Sequence, residues 1–413
     1  MTEHVTHEAI ETVWRIESAR LIGGLVRMTR DLSLAEDVAQ EALVVALERW
    51  PEIGIPENPG AWLMTTARNR ALDILRWRQM RERKHGVLAH EPEPAEEPDE
   101  QPATDVGDDL LRLMLIACHP VLSREARAAL TLRLLGGLAT SEIARAFLVP
   151  EPTIAQRIVR AKRTLVEARV PFELPRDAEL AARVPSVLEV IYLIFNEGYT
   201  ATRGEHWLRA DLCEDALRLG RIVAELLPQE PEAHGLVALM ELHASRAPAR
   251  VDAAGAPILL LDQDRARWDR LLIRRGLAAL ARAEALKAPL GPYTLQAAIA
   301  ACHARAPSGA ATDWKKIVAL YDALFELTRS PVVELNRAVA VGMAFGPEAA
   351  LELVDALNDE PALRNYHLLP AVRGDLLAKL ERGAEARTEF ERAAGLTENA
   401  RERELLLARA SEA

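Results

Sequence analysis

Apolar residues recur every three or four positions through much of this chain, the spacing of a single buried helix face. Leu34, Val38, Ala42 and Val45 form one such stripe. Ser33 precedes it and, with Glu36, has the spacing of a capping box. Asp37, Gln40, Glu41, Val44 and Glu48 share another face of the same helix, at i, i+3, i+4, i+7 and i+11. Trp50 and the loop PEIGIPENPG (51–60) end it. A second helix follows over 61–84, with Asn58 as its cap and Pro59 in its first turn. Further on, Ile154, Ile158, Ala161 and Leu165 recur at i, i+4, i+7 and i+11, giving another one-sided helix.

One segment interrupts the helical pattern. EPEPAEEPDEQPATDVGDD (91–109) holds acid and proline, no basic residue and almost no large side chain to bury. Such a stretch cannot offset its ordering entropy and reads as a flexible tether. It divides the chain into an N-terminal helical module (about 5–85), the acidic linker (86–107), a second module (108–170) and a long C-terminal region (171–413) entered through Pro171 and Pro175. In that region GPEAALELVDAL (346–357) and GAEARTEFERAAGL (383–396) share a Gly-x-Glu-Ala start at an offset of 37 residues, near the tetratricopeptide period. EDALRLGRIVAELLPQEP (214–231) ends its helix on a proline turn in the same manner. Stacked helix pairs are expected, the alternative being an irregular helical array without a true repeat. Ala, Leu, Glu and Arg dominate the composition and aromatics make up 4% of it, so the predicted fold class is all-α.

Composition narrows the chemistry. A length of 413 residues implies two or three domains rather than one core. The net charge of −11 means that any nucleic-acid affinity must come from local basic patches. Three widely spaced cysteines, Cys118, Cys213 and Cys302, form no CxxC pair and suggest small core thiols in a reducing cytoplasm. Neither Cys118-His119 nor Cys302-His303 makes a chelate alone, because adjacent helical residues diverge by about 100°. No metal, cofactor or catalytic group is predicted. A nucleophile elbow, a phosphate-cradling loop and metal spacing are all absent from the sequence, and His206, His234, His243 and His367 are scattered singly. The N-terminal stretch lacks the pattern of a signal peptide, and the apolar run at 190–195 is too short to span a membrane.

Two local patterns point to DNA. LATSEIARAFLVPEPTIAQRIVRAKRTL (138–165) reads as a helix–turn–helix. Thr140 or Ser141 caps a short helix that buries Ile143, Ala144 and Phe147; residues 148–150 form the turn, and Pro152 sits in the first turn of the second helix. The N-terminal part of such a second helix meets base edges, which makes Thr153, Gln156, Arg157 and Arg160 base-contact candidates. Lys162, Arg163 and Arg169 are better placed for phosphate. In the 61–84 helix, Arg68, Arg70, Arg76, Arg78, Arg81, Arg83 and Lys84 lie among Trp62 and Trp77. Cations interleaved with aromatics suit a single strand, where charges track phosphates and rings stack on bases; a core role for the tryptophans is the competing reading, and for Trp62 the stronger one.

In this order, an acidic-faced helix, a basic aromatic helix, a linker and a helix–turn–helix resemble bacterial RNA polymerase sigma factors of the extracytoplasmic-function type, in the sigma-70 family. DLSLAEDVAQEAL (31–43) is similar to their region 2.1–2.2, with Ala35, Glu36, Asp37, Gln40 and Glu41 in place. NPGAWLMTTARNRALDILR (58–76) looks like regions 2.3–2.4, and 108–170 like region 4. VIYLIFNEGYTA (190–201), RADLCEDALRLGR (209–221), LLDQDRARWDR (260–270), GPYTLQAAIAACHA (291–304) and SPVVELNRAVAV (330–341) resemble the group with a tetratricopeptide-like C-terminal extension.

The resemblance implies roles. Asp37, Gln40, Glu41 and Val44 would contact core RNA polymerase at its β′ coiled coil, and region 4 would approach the β flap. Trp62, Arg68, Asn69, Arg70, Asp73, Arg76 and Trp77 would serve the −10 element, with the 51–60 loop taking a flipped base. Thr153, Gln156, Arg157, Arg160, Lys162 and Arg163 would read or hold the −35 element. The recognition helix PEPTIAQRIVRAKRTL departs from the Ser/Arg-rich pattern of simpler members, so their promoter sequences do not transfer. At roughly 5–6 Å × √n, a linker of this length averages about 25 Å, enough for two modules to reach separate elements.

For the C-terminal region three uses compete: a protein-binding array acting on a regulatory protein or on the chain itself, a small-molecule sensor, and an enzyme, the last being the poorest fit. NEGY (196–199), DQDRARWDR (262–270) and Tyr293, Gln296 and His303 supply polar groups that either hold a ligand or cap and bridge helices. For the whole chain the alternative to a sigma factor is a one-component regulator, a helix–turn–helix with a ligand-sensing helical domain. Such a regulator has no use for the acidic face or the strand-binding helix.

Overall fold

The computed structural model describes residues 2–86, 106–147, 149–175, 177–199, 209–252 and 257–413. Among these the regular structure is helical, apart from one isolated bridge between Val251 and Pro257. Most of the acidic linker (residues 87–105) lies outside the described residues. The chain forms two compact units, Met1–Val190 and Ile191–Ala413.

In the first unit α1 (Thr2–Thr29), α2 (Leu32–Ile53) and α3 (Pro59–Gly86) pack on one another. Their core is Ile22, Leu25 and Val26, Val38, Ala39 and Ala42, and Leu63, Ala67 and Ala71. Alanines on α2 and α3 let the helix axes approach closely. The start of α2 differs from the sequence expectation. Asp31, not Ser33, is the cap: its Oδ1 accepts from the Leu34 amide at 3.0 Å. Two good caps stood within one turn, and starting at Leu32 buries that side chain as well. Asn58 does cap α3, accepting from the Ala61 amide at 3.0 Å, with Pro59 as the first helical residue.

Next, α4 (Val106–Ala117) packs against α1, followed by α5 (Arg124–Leu134), α6 (Thr140–Ala146) and α7 (Glu151–Glu167). The last two are the helix–turn–helix, with Ile154, Ile158, Ala161 and Leu165 buried as the spacing required. Neither Thr140 nor Ser141 caps α6. Thr140 is already inside the helix, and Glu142 Oε2 accepts from the Ala139 amide at 2.7 Å instead.

The second unit begins within α8 (Asp177–Tyr199). It continues through α9 (Ala210–Leu226), α10 (Pro231–Ala244), α11 (Arg270–Ala285), α12 (Pro292–Arg305), α13 (Trp314–Thr328), α14 (Pro331–Phe345), α15 (Pro347–Ala356), α16 (Leu368–Lys379), α17 (Gly383–Leu396) and α18 (Ala400–Glu412). From α9 onward each helix packs on the next, so the unit is a helical array built from near neighbours. The two Gly-x-Glu-Ala starts open α15 and α17, yet their glycines serve different ends. Gly346 has φ +109°, a conformation that favours glycine, and turns α14 into α15. At Gly383 a Cβ would stand 2.2 Å from the Ala413 carbonyl oxygen, so the position is set by close approach.

Phe390 is the largest buried side chain in the cluster formed by Leu335, Val354, Leu369 and Leu406. Its ring lies where a Cβ on Gly374 would be 2.9 Å away. Phe390→Ala is therefore expected to cost about 3–5 kcal/mol, read as a lowered urea midpoint at unchanged slope.

Candidate nucleic-acid and protein interfaces

On α2, Asp37, Glu41 and Val44 are exposed, and Val44 keeps 52% of its surface free. Gln40 is half-buried, and its Nε2 donates to Glu36 Oε1 at 2.9 Å. The acidic face joins the basic helix directly: Arg70 Nε donates to Glu41 Oε2 at 2.6 Å. Both side chains are about half exposed, so this pair contributes about 0–1 kcal/mol and exchanges partners at little cost.

On α3, Arg68, Asn69, Asp73 and Arg76 are exposed beside Arg70. Trp62 is half-buried, with its edge on Trp50 at 5.4 Å between ring centroids. Trp77 differs: it is 55% exposed, with the Arg81 guanidinium 5.2 Å from its centre. An uncovered indole carrying a cation is the arrangement that stacking on a base uses. Arg78 lies 3.5 Å from Asp31, while the side chains of Arg83 and Lys84 fall outside the described residues. The loop ahead of α3 is shorter than expected, because α2 runs to Ile53 with Pro51 in its last turn and ends at Gly54 (φ +83°).

On α7, Thr153, Gln156 and Arg160 are exposed and Arg157 is half-buried. Together with Ser123 and Ala126 they line an open cleft of about 390 Å³. Arg163 pairs with Glu167 at 2.6 Å, and Arg169 is exposed in a left-handed conformation (φ +49°). Lys162 does not point the same way. It forms an ion pair with Glu36 of α2.

Glu36 is the functional group that sequence reasoning misassigned. It does not close a capping box; it is 5% exposed and holds both Lys162 and Arg133, the latter at 2.8 Å. Burial by itself would raise its carboxyl, but Lys162 and Arg133 outweigh that and hold it below the usual glutamate range. A signal was present: Glu36 lies between Leu32 and Ala39 on the buried side of α2, where a lone carboxylate requires a cation. Its partners, 97 and 126 residues further along by subtraction, could not be named from the helix itself.

Among the described residues there is no cluster of three potential metal ligands. Cys118 is buried against Thr131, which it meets at 3.3 Å, and burial pushes its thiol up to about 11. No helix among the described residues is long and apolar enough to cross a membrane. In the second unit, Asp264 and Asp269 cap helices, and Tyr192 donates to Gln296 at 3.2 Å. Most of the polar groups considered for a ligand in that region are thus engaged in capping and bridging.

With these surfaces defined, the family relations become specific. The family described as Sigma-70 region 2 matches residues 14–81, and Sigma-70 region 4 matches 112–165. A family of unknown function (DUF6596) matches 183–284. An uncharacterized protein of Rhizobium meliloti is 46% identical over 92% of this chain and 90% of its own length. The ECF RNA polymerase sigma factor SigL of Mycobacterium tuberculosis is 31% identical over 34% of this chain and 77% of its own. The chain belongs to the extracytoplasmic-function RNA polymerase sigma factors. A probable ECF sigma factor of the same organism, SigI, is 30% identical over 40% of this chain and 57% of its own. Among solved structures, that of yeast Tom70 aligns over 94% of this sigma factor and 82% of its own chain at 12% identity and a TM-score of 0.37, a level that carries no inference. Sigma factors are not an enzyme family.

Proposed function

We propose that this sigma factor binds core RNA polymerase in the cytoplasm and directs it to promoters, with α2 docking on the β′ coiled coil and α7 presented near the β flap. The carrying observation is the exposed Asp37–Glu41–Val44 face, bonded through Arg70 to an exposed row of Arg68, Asn69, Asp73 and Arg76. A protein-docking surface and a strand-binding surface then meet along one seam. Residues 5–85 act as region 2, which melts and reads the −10 element. Residues 108–170 act as region 4, which reads the −35 element, and the acidic segment 86–107 joins them. The helical region from 171 onward regulates or assists this activity, as a binding surface for a protein or for the chain itself.

The test is complex formation between purified sigma factor and core polymerase, followed by gel shift on promoter duplex. Binding to core, with weak duplex binding in its absence, is expected. Tight sequence-specific duplex binding without polymerase would favour a one-component regulator instead.

Arg157 supplies a finer check. If it reads a base edge, Arg157→Ala costs about 1–3 kcal/mol and relaxes preference at one −35 position. An equal loss on every sequence would make it a phosphate contact. Titrating affinity against a set of single-position −35 variants separates the two.

A further inference from the structure

The second unit contains a cavity of about 720 Å³, within the range of small-molecule sites. Its described wall is largely apolar, with Leu260, Trp314, Val339 and Met343 prominent, and all of it comes from residues 199–409. Arg246 and Arg250 line the cavity, Arg265 stands near Arg246 without lining it, and two of these three are committed. Arg250 donates to the Tyr199 carbonyl and lies over that ring, 3.7 Å from its centre. Arg265 donates to the carbonyls of His303 and Ala306 and to Thr312.

Arg246 is different. It lines the cavity, and among the described residues its guanidinium meets only the Tyr199 ring, at 5.9 Å, and pairs with no carboxylate. The other carboxylates of the wall do not neutralise it. Asp375 is taken by Lys379 and Arg409, Glu402 by His367 at 3.0 Å, and Asp262 is exposed at the rim. A second polar group on the same wall is also unsatisfied. Gln263 is 9% exposed, and its Oε1 is buried without a hydrogen-bond partner among the described residues. Native structures rarely leave such an atom unpaired, because burial strips its water without replacing the hydrogen bond.

The positive charge of these guanidinium groups is felt by their neighbours. Burial and then Arg246 and Arg250 push His243 well below the ordinary histidine range. Burial, Arg246 and Arg265 bring His303 down to about 4. Both imidazoles are therefore neutral at physiological pH, and neither offsets nor adds to the charge on Arg246.

We propose that this cavity is a binding site for a small amphiphilic anion, a carboxylate or phosphate held by Arg246 with its apolar body against Trp314, Val339 and Met343. An anion brought out of water to an unopposed guanidinium gains charge-assisted hydrogen bonds. The apolar wall rejects compact hydrophilic ions, which could make no use of it.

The experiment uses the full-length protein and two fluorescent probes of matched shape, anilinonaphthalene sulfonate (anionic) and phenylnaphthylamine (neutral). One saturable site for the sulfonate is expected, with the neutral probe at least about tenfold weaker. Arg246→Gln should lower sulfonate affinity by about tenfold or more and leave the neutral probe unchanged, while Arg246→Lys should recover part of the loss. Val339→Trp, which adds bulk to the apolar lining, should weaken both probes, and thermal melting would establish that each variant is folded. Displacement by decanoate, decyl phosphate and decanol then separates the sources of charge. Displacement by the first two alone supports the site, and their ratio tells whether carboxylate or phosphate fits better. Absence of saturable binding, equal binding of the neutral probe, displacement by decanol as strong as by decanoate, or full affinity in Arg246→Gln would each overturn the proposal.

Discussion

Reversing two charges on α2, Asp37→Arg together with Glu41→Arg, is expected to abolish binding to core RNA polymerase. Like charges brought together at an interface cost several kcal/mol, so the loss should exceed roughly a hundredfold. The fold should barely notice. Both residues are exposed, and among the described residues the only bond lost is the half-exposed pair between Glu41 and Arg70, worth about 0–1 kcal/mol. Affinity for core polymerase measured by anisotropy, alongside a thermal melt, distinguishes a docking defect from an unfolding one. Unchanged affinity would remove the assignment of this face.

Much of that surface was legible in the amino-acid order. The exposed side of α2 followed from its spacing, as did the buried side of α7 at Ile154, Ile158, Ala161 and Leu165, because one-sided helices leave a period that survives without tertiary knowledge. Asn58 and Pro59 were readable for the same local reason. Caps with near-equal competitors were not. Asp31 and Ser33 stand two residues apart, and the choice between them depends on whether Leu32 is buried. Glu36 was misread because its role belongs to the tertiary structure. A carboxylate three residues after a serine looks like half of a capping box, whereas its true partners are Arg133 on α5 and Lys162 on α7. For the same reason the sequence places Lys162 among outward-facing phosphate contacts, whereas in the structure it is turned to Glu36. The cavity around Arg246 was only half visible. Gln263 stood within a polar motif noted for a possible ligand, but nothing local separates a guanidinium spent on carbonyls, such as Arg265, from one left unopposed.

The second large effect is expected at Glu36 itself. Glu36→Ala leaves Arg133 and Lys162 facing one another with no counter-charge, on side chains only 23% and 18% exposed. Removing one partner of a buried ion pair costs about 3–5 kcal/mol. The same group gives the first unit a pH dependence. The carboxyl of Glu36 is depressed in the folded protein, so its contribution is fully present above the ordinary glutamate range around 4.5. It is lost as pH falls through the lower, folded value. Urea unfolding of wild type and Glu36→Ala should therefore differ strongly at neutral pH and converge in acid. A difference below about 1 kcal/mol at neutral pH, or one that grows with acidification, would show that the buried cations do not depend on this carboxylate.

The proposed role requires this sigma factor to confer promoter specificity on RNA polymerase. The most direct measurement is in vitro transcription, with core polymerase and purified full-length protein on fragments of the native genome, and start sites mapped from the transcripts. Discrete start sites are expected only when both components are present, and they should vanish with Asp37→Arg, Glu41→Arg. Transcripts identical to those of core polymerase alone, on every fragment, would contradict it.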